Sequence, residues 1–184
     1  MADKNPCLFK SARLGFRNWV ESDTKPMSEI NSDPVVMEFF PGIQTEKQTA
    51  DFIQRMQQQF EEKGFCYYAI DNLETNEFIG FTGLSEQNYD AEFTPCVDIG
   101  WRIKRQEWNK GLATEAAIKC LDYAFEMLKL EKIYAITPTI NLKSQRIMQK
   151  AGMKMLKTFH HPLLKGYRKI EECIVYEKLM GFGN

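Results

Sequence analysis

Residues 97–128 constrain this chain more than any other stretch, because within them the period of the apolar residues changes from that of a strand to that of a helix. Val97, Ile99, Trp101 and Ile103 alternate with Asp98, Gly100 and Arg102, as on a half-buried strand. From Leu112 onward, Leu112, Ala116, Cys120, Ala124 and Leu128, flanked by Ala117, Leu121 and Phe125, define one apolar helix face. Glu115, Lys119, Asp122, Glu126 and Lys129 fall outside it. A strand therefore feeds a helix through Trp108-Asn109-Lys110-Gly111. The first N–H groups of a helix lack internal partners and carry the positive end of its dipole, so this junction suits an anion, phosphate above all. Gly111 lets the backbone come close, and Lys110 adds a point charge. An ordinary helix entry with a turn glycine has the same local sequence, so this segment alone leaves both readings open.

A second strand-to-helix unit follows. Residues 131–137 read as a buried strand with Ile133, Ala135 and Ile136 inside it, and Asn141-Leu142-Lys143-Ser144 opens a helix that carries Ile147 and Met148 and stops at Gly152. Upstream, residues 12–17 read as a strand and 21–32 as a short helix. Thr45-Glu46-Lys47-Gln48 has capping-box spacing ahead of the stripe Ala50, Ile53, Met56 and Phe60, which Gly64 ends. Residues 65–71, 77–84 and 96–103 then read as antiparallel strands, and 153–160 and 172–179 as closing strands. The fold class predicted is mixed α/β.

At this point the chain resembles the GNAT superfamily of N-acetyltransferases, and within it the RimJ/RimL-like branch. The likeness rests on Asp98-Ile99-Gly100-Trp101-Arg102-Ile103, on Trp108 to Ala116, on Asn141 to Ser144 and on Gln149-Lys150-Ala151-Gly152-Met153. Arg13 to Arg17, Asn31 to Met37, His161-Pro162 and Val175 to Leu179 fit the family's first strand, early helical turn and last strands. The resemblance implies the GNAT fold, a central, mostly antiparallel twisted sheet of about seven strands flanked by helices, in a single domain spanning residues 1–184. It implies acetyl-CoA as co-substrate and direct attack on its thioester by a primary amine, either a protein N-terminus or a small amine. Asn109 departs from the family's usual first motif glycine, but Asn tolerates left-handed backbone angles better than most residues. Asp98 replaces the more frequent Glu.

Carried onto this sequence, the family's cofactor contacts fall on the backbone of Trp101, Arg102 and Ile103, on Trp108, Asn109, Lys110, Gly111, Leu112, Ala113 and Thr114, and on Asn141 and Ser144. Ser144 is the expected proton donor to the leaving thiolate or a partner of the pantetheine arm, and a polar residue of a first helical turn reads the same way. Asn141 caps its helix and can also touch the cofactor. Asp98 is the expected general base, although it shares a strand face with Arg102 and an ion pair between them is the competing reading. Glu86, Asp90 and Glu92 are other acids that could serve, and Tyr176 could reach the thiolate. His160 and His161 point to opposite faces of a strand and have no acidic or thiol cluster beside them, so no metal is expected.

Net charge is −1, which argues against a general nucleic-acid binder. Its distribution is uneven. Residues 64–101 hold seven acids and no Lys or Arg, whereas residues 102–184 hold 16 Lys and Arg against eight acids. That suits a polyanionic cofactor in the second half and a cationic amine near the acidic middle, and acidic hairpin turns are also ordinary solvated faces. Cys7, Cys66, Cys96, Cys120 and Cys173 are widely spaced, with no C-x-x-C pair, and read as reduced thiols. The chain lacks a signal-peptide pattern or a stretch of membrane-spanning length, so a cytoplasmic monomer or homodimer is expected. Among rival functions, a nucleotide enzyme would need Gly-x-x-x-x-Gly-Lys-Ser/Thr or Gly-x-Gly-x-x-Gly, and neither occurs. A non-catalytic module that binds acyl-CoA and uses the fold for contacts or sensing is the alternative from another class.

Overall fold

A computed structural model describes residues 6–181. Residues 1–5 and 182–184, which belong to the expected 1–184 domain and include the start read for a leader, lie outside the described residues. In chain order the elements are β1 (Phe9–Lys10), β2 (Leu14–Arg17), α1 (Thr24–Asn31), α2 (Glu46–Lys63), β3 (Tyr67–Asn72), β4 (Glu77–Gln87), β5 (Cys96–Ile103), α3 (Leu112–Glu126), β6 (Lys132–Pro138), α4 (Leu142–Lys150), β7 (Lys154–His160) and β8 (Glu172–Leu179). The strands form one sheet in the order β1-β2-β3-β4-β5-β6-β8-β7, antiparallel at every junction but that of β5 with β6. α3 makes the crossover that a parallel pair requires.

Eight strands stand where about seven were expected. The extra one is β1, two residues long, too short to carry a period, and held against β2 by Phe9, which stacks on Phe16 and Tyr123. β4 also runs to Gln87, beyond the expected 84, because Ser85, Glu86 and Gln87 find partners in Asp98, Val97 and Cys96 of β5.

Local sequence rules account for most boundaries. Thr45 and Gln48 cap α2 reciprocally, and Gly64 ends it at φ 78°, a left-handed angle open to glycine without steric cost. α3 buries Leu112, Ala116, Ala117, Cys120, Leu121 and Ala124, the face read from the sequence. A buried leucine such as Leu121 contributes roughly 1.5–3 kcal/mol relative to exposure. The five cysteines are free thiols, with Cys7 and Cys96 only half-buried.

One buried ion cluster fixes the first helix to the sheet. Arg17, fully enclosed, donates to both carboxylate oxygens of Asp23 (2.7 and 2.8 Å) and of Asp71 (2.8 and 3.1 Å). Paired in this way, the guanidinium recovers in directed hydrogen bonds what burial removed from its hydration.

Candidate active site

The one parallel junction is also where the sheet opens. β5 and β6 share a single registered pair, Asp98 with Tyr134, and beyond it Ile99–Ile103 and Ile136–Pro138 line opposite walls of a cleft. Its volume is about 650 Å³. α3 and α4 begin at one side of this opening, and the turn after α1, with Phe39 and Phe40, closes the other.

Every expected site residue but one lines the cleft: Asp98, Trp101, Arg102, Ile103, Trp108, Asn109, Gly111, Leu112, Ala113, Thr114, Asn141 and Ser144. The exception is Lys110, whose ammonium pairs with the cleft residue Glu107 at 3.2 Å. Arg13 also holds the loop, donating from Nη1 to the Lys110 carbonyl (3.0 Å) while its Nε pairs with Glu115 (2.7 Å). Glu115 is itself pulled below its ordinary carboxyl range: partial burial works against that, and hydrogen bonds from Ser11 and Arg13 outweigh it.

The loop between β5 and α3 has the backbone that anion binding needs. Asn109 stands at φ 62° and Gly111 at φ 79°, so the Asn at the irregular position takes the left-handed angle expected of it. α3 then begins with no side-chain cap: the Glu115 N–H is the first to find an intrahelical acceptor, the Gly111 carbonyl at 3.0 Å, and those of Leu112, Ala113 and Thr114 come before it. Trp108 braces the loop, its indole N–H donating to the Ile103 carbonyl at 2.8 Å. Lys143 places its ammonium 4.8 Å from the centroid of that indole, and with Arg146 and Lys150 it makes a cationic wall at helical spacing. The sequence reading did not single out this stripe, although the spacing 143, 146, 150 carries it.

At the start of α4, Asn141 Oδ1 accepts from the Ser144 backbone N–H (3.2 Å), while its Nδ2 donates to Ser144 Oγ (3.1 Å) and Thr137 Oγ1 (3.0 Å). The Ser144 oxygen thus accepts one bond, and its own proton remains to be donated into the cleft.

Asp98 does not pair with Arg102. Both lie on one face of β5, but four residues of strand separate them by about 13 Å. Asp98 accepts instead from the Tyr67 hydroxyl at 2.6 Å, and Gln87 donates to that hydroxyl at 3.4 Å. Burial raises the Asp98 carboxyl to about 6, against the pull of its hydrogen bonds from Tyr67 and Gln87. The Tyr67 phenol is raised well above its ordinary value by burial and by the Asp98 charge, so the proton between them belongs to the phenol. Arg102 has partners of its own, donating from Nη1 to Asn31 Oδ1 at 2.5 Å and lying 4.1 Å from the Phe40 ring centroid. Burial lowers it to about 10.

The other expected candidates lie elsewhere. Glu86 pairs with Lys63, Glu92 with Lys157, and Asp90 is exposed; none lines the cleft. Tyr176 is buried and its hydroxyl accepts from Gln149 at 3.2 Å; neither residue lines the opening. His161 packs against Tyr89 and Phe159, and burial lowers its imidazolium below the ordinary value. Among the described residues no group of three or more His, Cys, Asp and Glu could hold a metal ion, and no described helix is long and apolar enough to cross a membrane.

Comparison with known proteins places this geometry. Residues 13–154 match the model of the acetyltransferase (GNAT) domain. The Bacillus subtilis protein YkkB is 31% identical over 127 residues, 69% of this chain and 73% of that protein. A second Bacillus subtilis relative, described as the N-acetyltransferase YnaD, is 28% identical over 155 residues, 84% of this chain and 86% of its own. Among solved structures, a GNAT-family acetyltransferase from Bacillus anthracis superposes with a TM-score of 0.77 at 28% identity, covering 93% of this chain and 97% of its own.

Proposed function

The chain belongs to the GNAT acetyltransferase family, and from that premise we propose that it moves the acetyl group of acetyl-CoA to a primary amine, a protein N-terminus or a small amine, by direct attack within the cleft between β5 and β6. The whole chain acts as one domain, in the cytoplasm, and its motifs ally it with the RimJ/RimL-like branch. The observation that carries this reading is the junction itself: a single β5–β6 pair, then an opening flanked by a left-handed loop, a helix N-terminus and a row of cations.

Each part has a task that its chemistry suits. The N–H groups at the start of α3, with Asn109 and Gly111 turning the backbone toward them, hold the pyrophosphate of the co-substrate, and Lys143, Arg146 and Lys150 supply charge nearby. The edge of β5 at Trp101, Arg102 and Ile103, unpaired with β6, receives the pantetheine amides as an added strand. Asp98, ionised above about pH 6, takes a proton from the incoming ammonium directly or through water. Ser144, fixed by Asn141, donates its hydroxyl hydrogen toward the leaving sulfur. Holding both reactants aligned supplies the largest share, since orientation alone lowers such barriers by roughly 7–11 kcal/mol.

Thermal unfolding in the presence of acetyl-CoA, ATP or NAD tests the co-substrate. Acetyl-CoA at a hundred times its Kd stabilises by roughly 2.7 kcal/mol, a rise of about 5–10 °C for a chain of this length. A rise with acetyl-CoA alone, followed by thiol release with an amine, supports the reading. No rise with acetyl-CoA sinks it, and a rise without turnover of any amine leaves the binding-module alternative in its place.

A further inference from the structure

The chain buries two arginines, and they are treated differently. Arg17 meets two carboxylates and places donors on four of their oxygens. Arg102, 9% exposed, meets none. Among the described residues its guanidinium makes one hydrogen bond, from Nη1 to the neutral amide of Asn31, and its Nε is buried without a partner. It lies over the rings of Phe40 and Phe81, with centroids 4.1 and 5.4 Å from the guanidinium carbon. Two aromatic rings offset part of the desolvation, but they accept no in-plane hydrogen bond from the N–H donors and leave Nε unsatisfied.

Those donors are held in position rather than loose. Thr49 donates to the Thr45 carbonyl and receives a bond from Asn31 Nδ2 (2.9 Å), which aims Asn31 Oδ1 at Arg102. Thr49 and Asn31 are both neutral, so they orient the cation without neutralising it. Arg102 also lines the cleft, on the same face of β5 as Asp98 and on the side closed by Phe39 and Phe40. A buried cation supported by neutral partners, beside two aromatic rings and facing a cavity suits a planar anion, since a guanidinium edge matches a carboxylate in two parallel bonds. The nearby acid Glu38 does not fill this role; its carboxylate pairs outward with Lys169 at 3.6 Å.

We propose that Arg102 binds a carboxylate of the acceptor, so that the substrate class is an amine joined to a carboxylate through a chain. This rests on the amine-acetylation reading above. Asp98 and Arg102 stand about 13 Å apart along the backbone of β5 and are held by different partners, Tyr67 and Asn31, which suits an acceptor whose amine and carboxylate lie at separate ends. An ω-amino acid, lysine or a short peptide has its charged ends apart in this way; an α-amino acid acetylated on its α-amine is the poorest match. A polyamine would bring a cation to Arg102 and is disfavoured.

The test compares acetylation of 6-aminohexanoate, hexylamine and 1,6-diaminohexane, which share one chain length and differ in the distal group. The wild type is expected to prefer 6-aminohexanoate over both in kcat/KM by roughly 10- to 100-fold, the worth of a hydrogen-bonded charge pair, with most of the difference in KM. In Arg102→Gln that preference ratio falls to about one, and in Arg102→Lys, which keeps the charge and loses the fork, it falls between. Circular dichroism establishes that each variant is folded, and Arg102→Lys serves if Arg102→Gln is not. Equal turnover of the three amines by wild type, or a preference that survives Arg102→Gln, overturns the carboxylate assignment and leaves amine acetylation standing. No turnover of any of them by a protein that acetyl-CoA stabilises removes both.

Discussion

The Tyr67 hydroxyl donates to Asp98 Oδ1 at 2.6 Å from two strands away, reaching across β4 and over Gly100. A Cβ at Gly100 would stand 3.1 Å from the tyrosine ring, so the glycine is the place where the ring crosses. The hydroxyl holds the carboxylate in one orientation toward the cleft, and it favours the ionised form against a burial that raises the group to about 6.

A general base works only when ionised, so kcat/KM is expected to rise with pH through about 6 and then level off. Tyr67→Phe removes a bond that favours the carboxylate and should move the rising limb to higher pH. Asp98→Asn should abolish that limb and lower kcat by about 10²-fold or more. A pH–rate profile that keeps its acid limb in Asp98→Asn assigns the proton transfer to another group.

The same shift acts on stability. The folded value, about 6, lies above the ordinary 3.8, so Asp98 stabilises the fold below about pH 4, and that contribution is lost as pH rises through 6. Two pK units correspond to about 3 kcal/mol, and water reaching the cleft screens part of it. Asp98→Asn should therefore be more stable than wild type at pH 8, by about 1–2 kcal/mol, and no more stable at pH 4. Urea unfolding at the two pH values measures this; a variant less stable at pH 8 would mean that the hydrogen bond from Tyr67 outweighs burial.

What the sequence discloses of this site is what local chemistry writes. The alternation along β5, the Asn141 cap and the left-handed position at Asn109 are each decided within a few residues, and all are legible. The partners that define the chemistry are not, because they come from far along the chain: Tyr67 lies 31 residues from Asp98, Asn31 lies 71 from Arg102, and Ser11 lies 104 from Glu115. Periodicity put Asp98 and Arg102 on one face and so suggested an ion pair, but a face carries no information about distance along it. Strand β1 escaped notice for a related reason, since two residues cannot show a period.

Ser144 and Asn141 separate a chemical role from a structural one. Ser144→Ala keeps the backbone bond to Asn141 Oδ1, so helix α4 stays capped, and only the side-chain oxygen is lost. Turnover should fall, with KM for acetyl-CoA and the unfolding midpoint nearly unchanged. Asn141→Ala removes the cap and leaves Thr137 Oγ1 and the Ser144 N–H without their partner, which should cost about 1 kcal/mol of stability as well as activity. Steady-state kinetics beside thermal unfolding distinguishes the two patterns; unchanged kcat in Ser144→Ala would make that serine a helix residue only.

The loop before α3 should discriminate between space and backbone angle. A Cβ at Gly111 meets only Arg13 Nη2, at 3.6 Å, so the first carbon that Gly111→Val adds has room. The substitution does force a β-branched residue to φ 79°, which costs about 1–2 kcal/mol or relaxes by turning the loop. At this chain length that is a fall of about 2–8 °C in the unfolding midpoint, with the fold intact. Because the N–H groups that the loop presents depend on that angle, the Kd for acetyl-CoA should rise at least ~10-fold, as expected when two charge-assisted bonds are misaligned. Asn109→Gly is the converse: φ 62° is free for glycine, so affinity and midpoint should stay close to wild type, whereas Asn109→Val should weaken binding as Gly111→Val does. Calorimetric titration with acetyl-CoA across the three variants reads this directly, and an unchanged Kd in Gly111→Val would mean that the co-substrate's phosphates lie somewhere other than this loop.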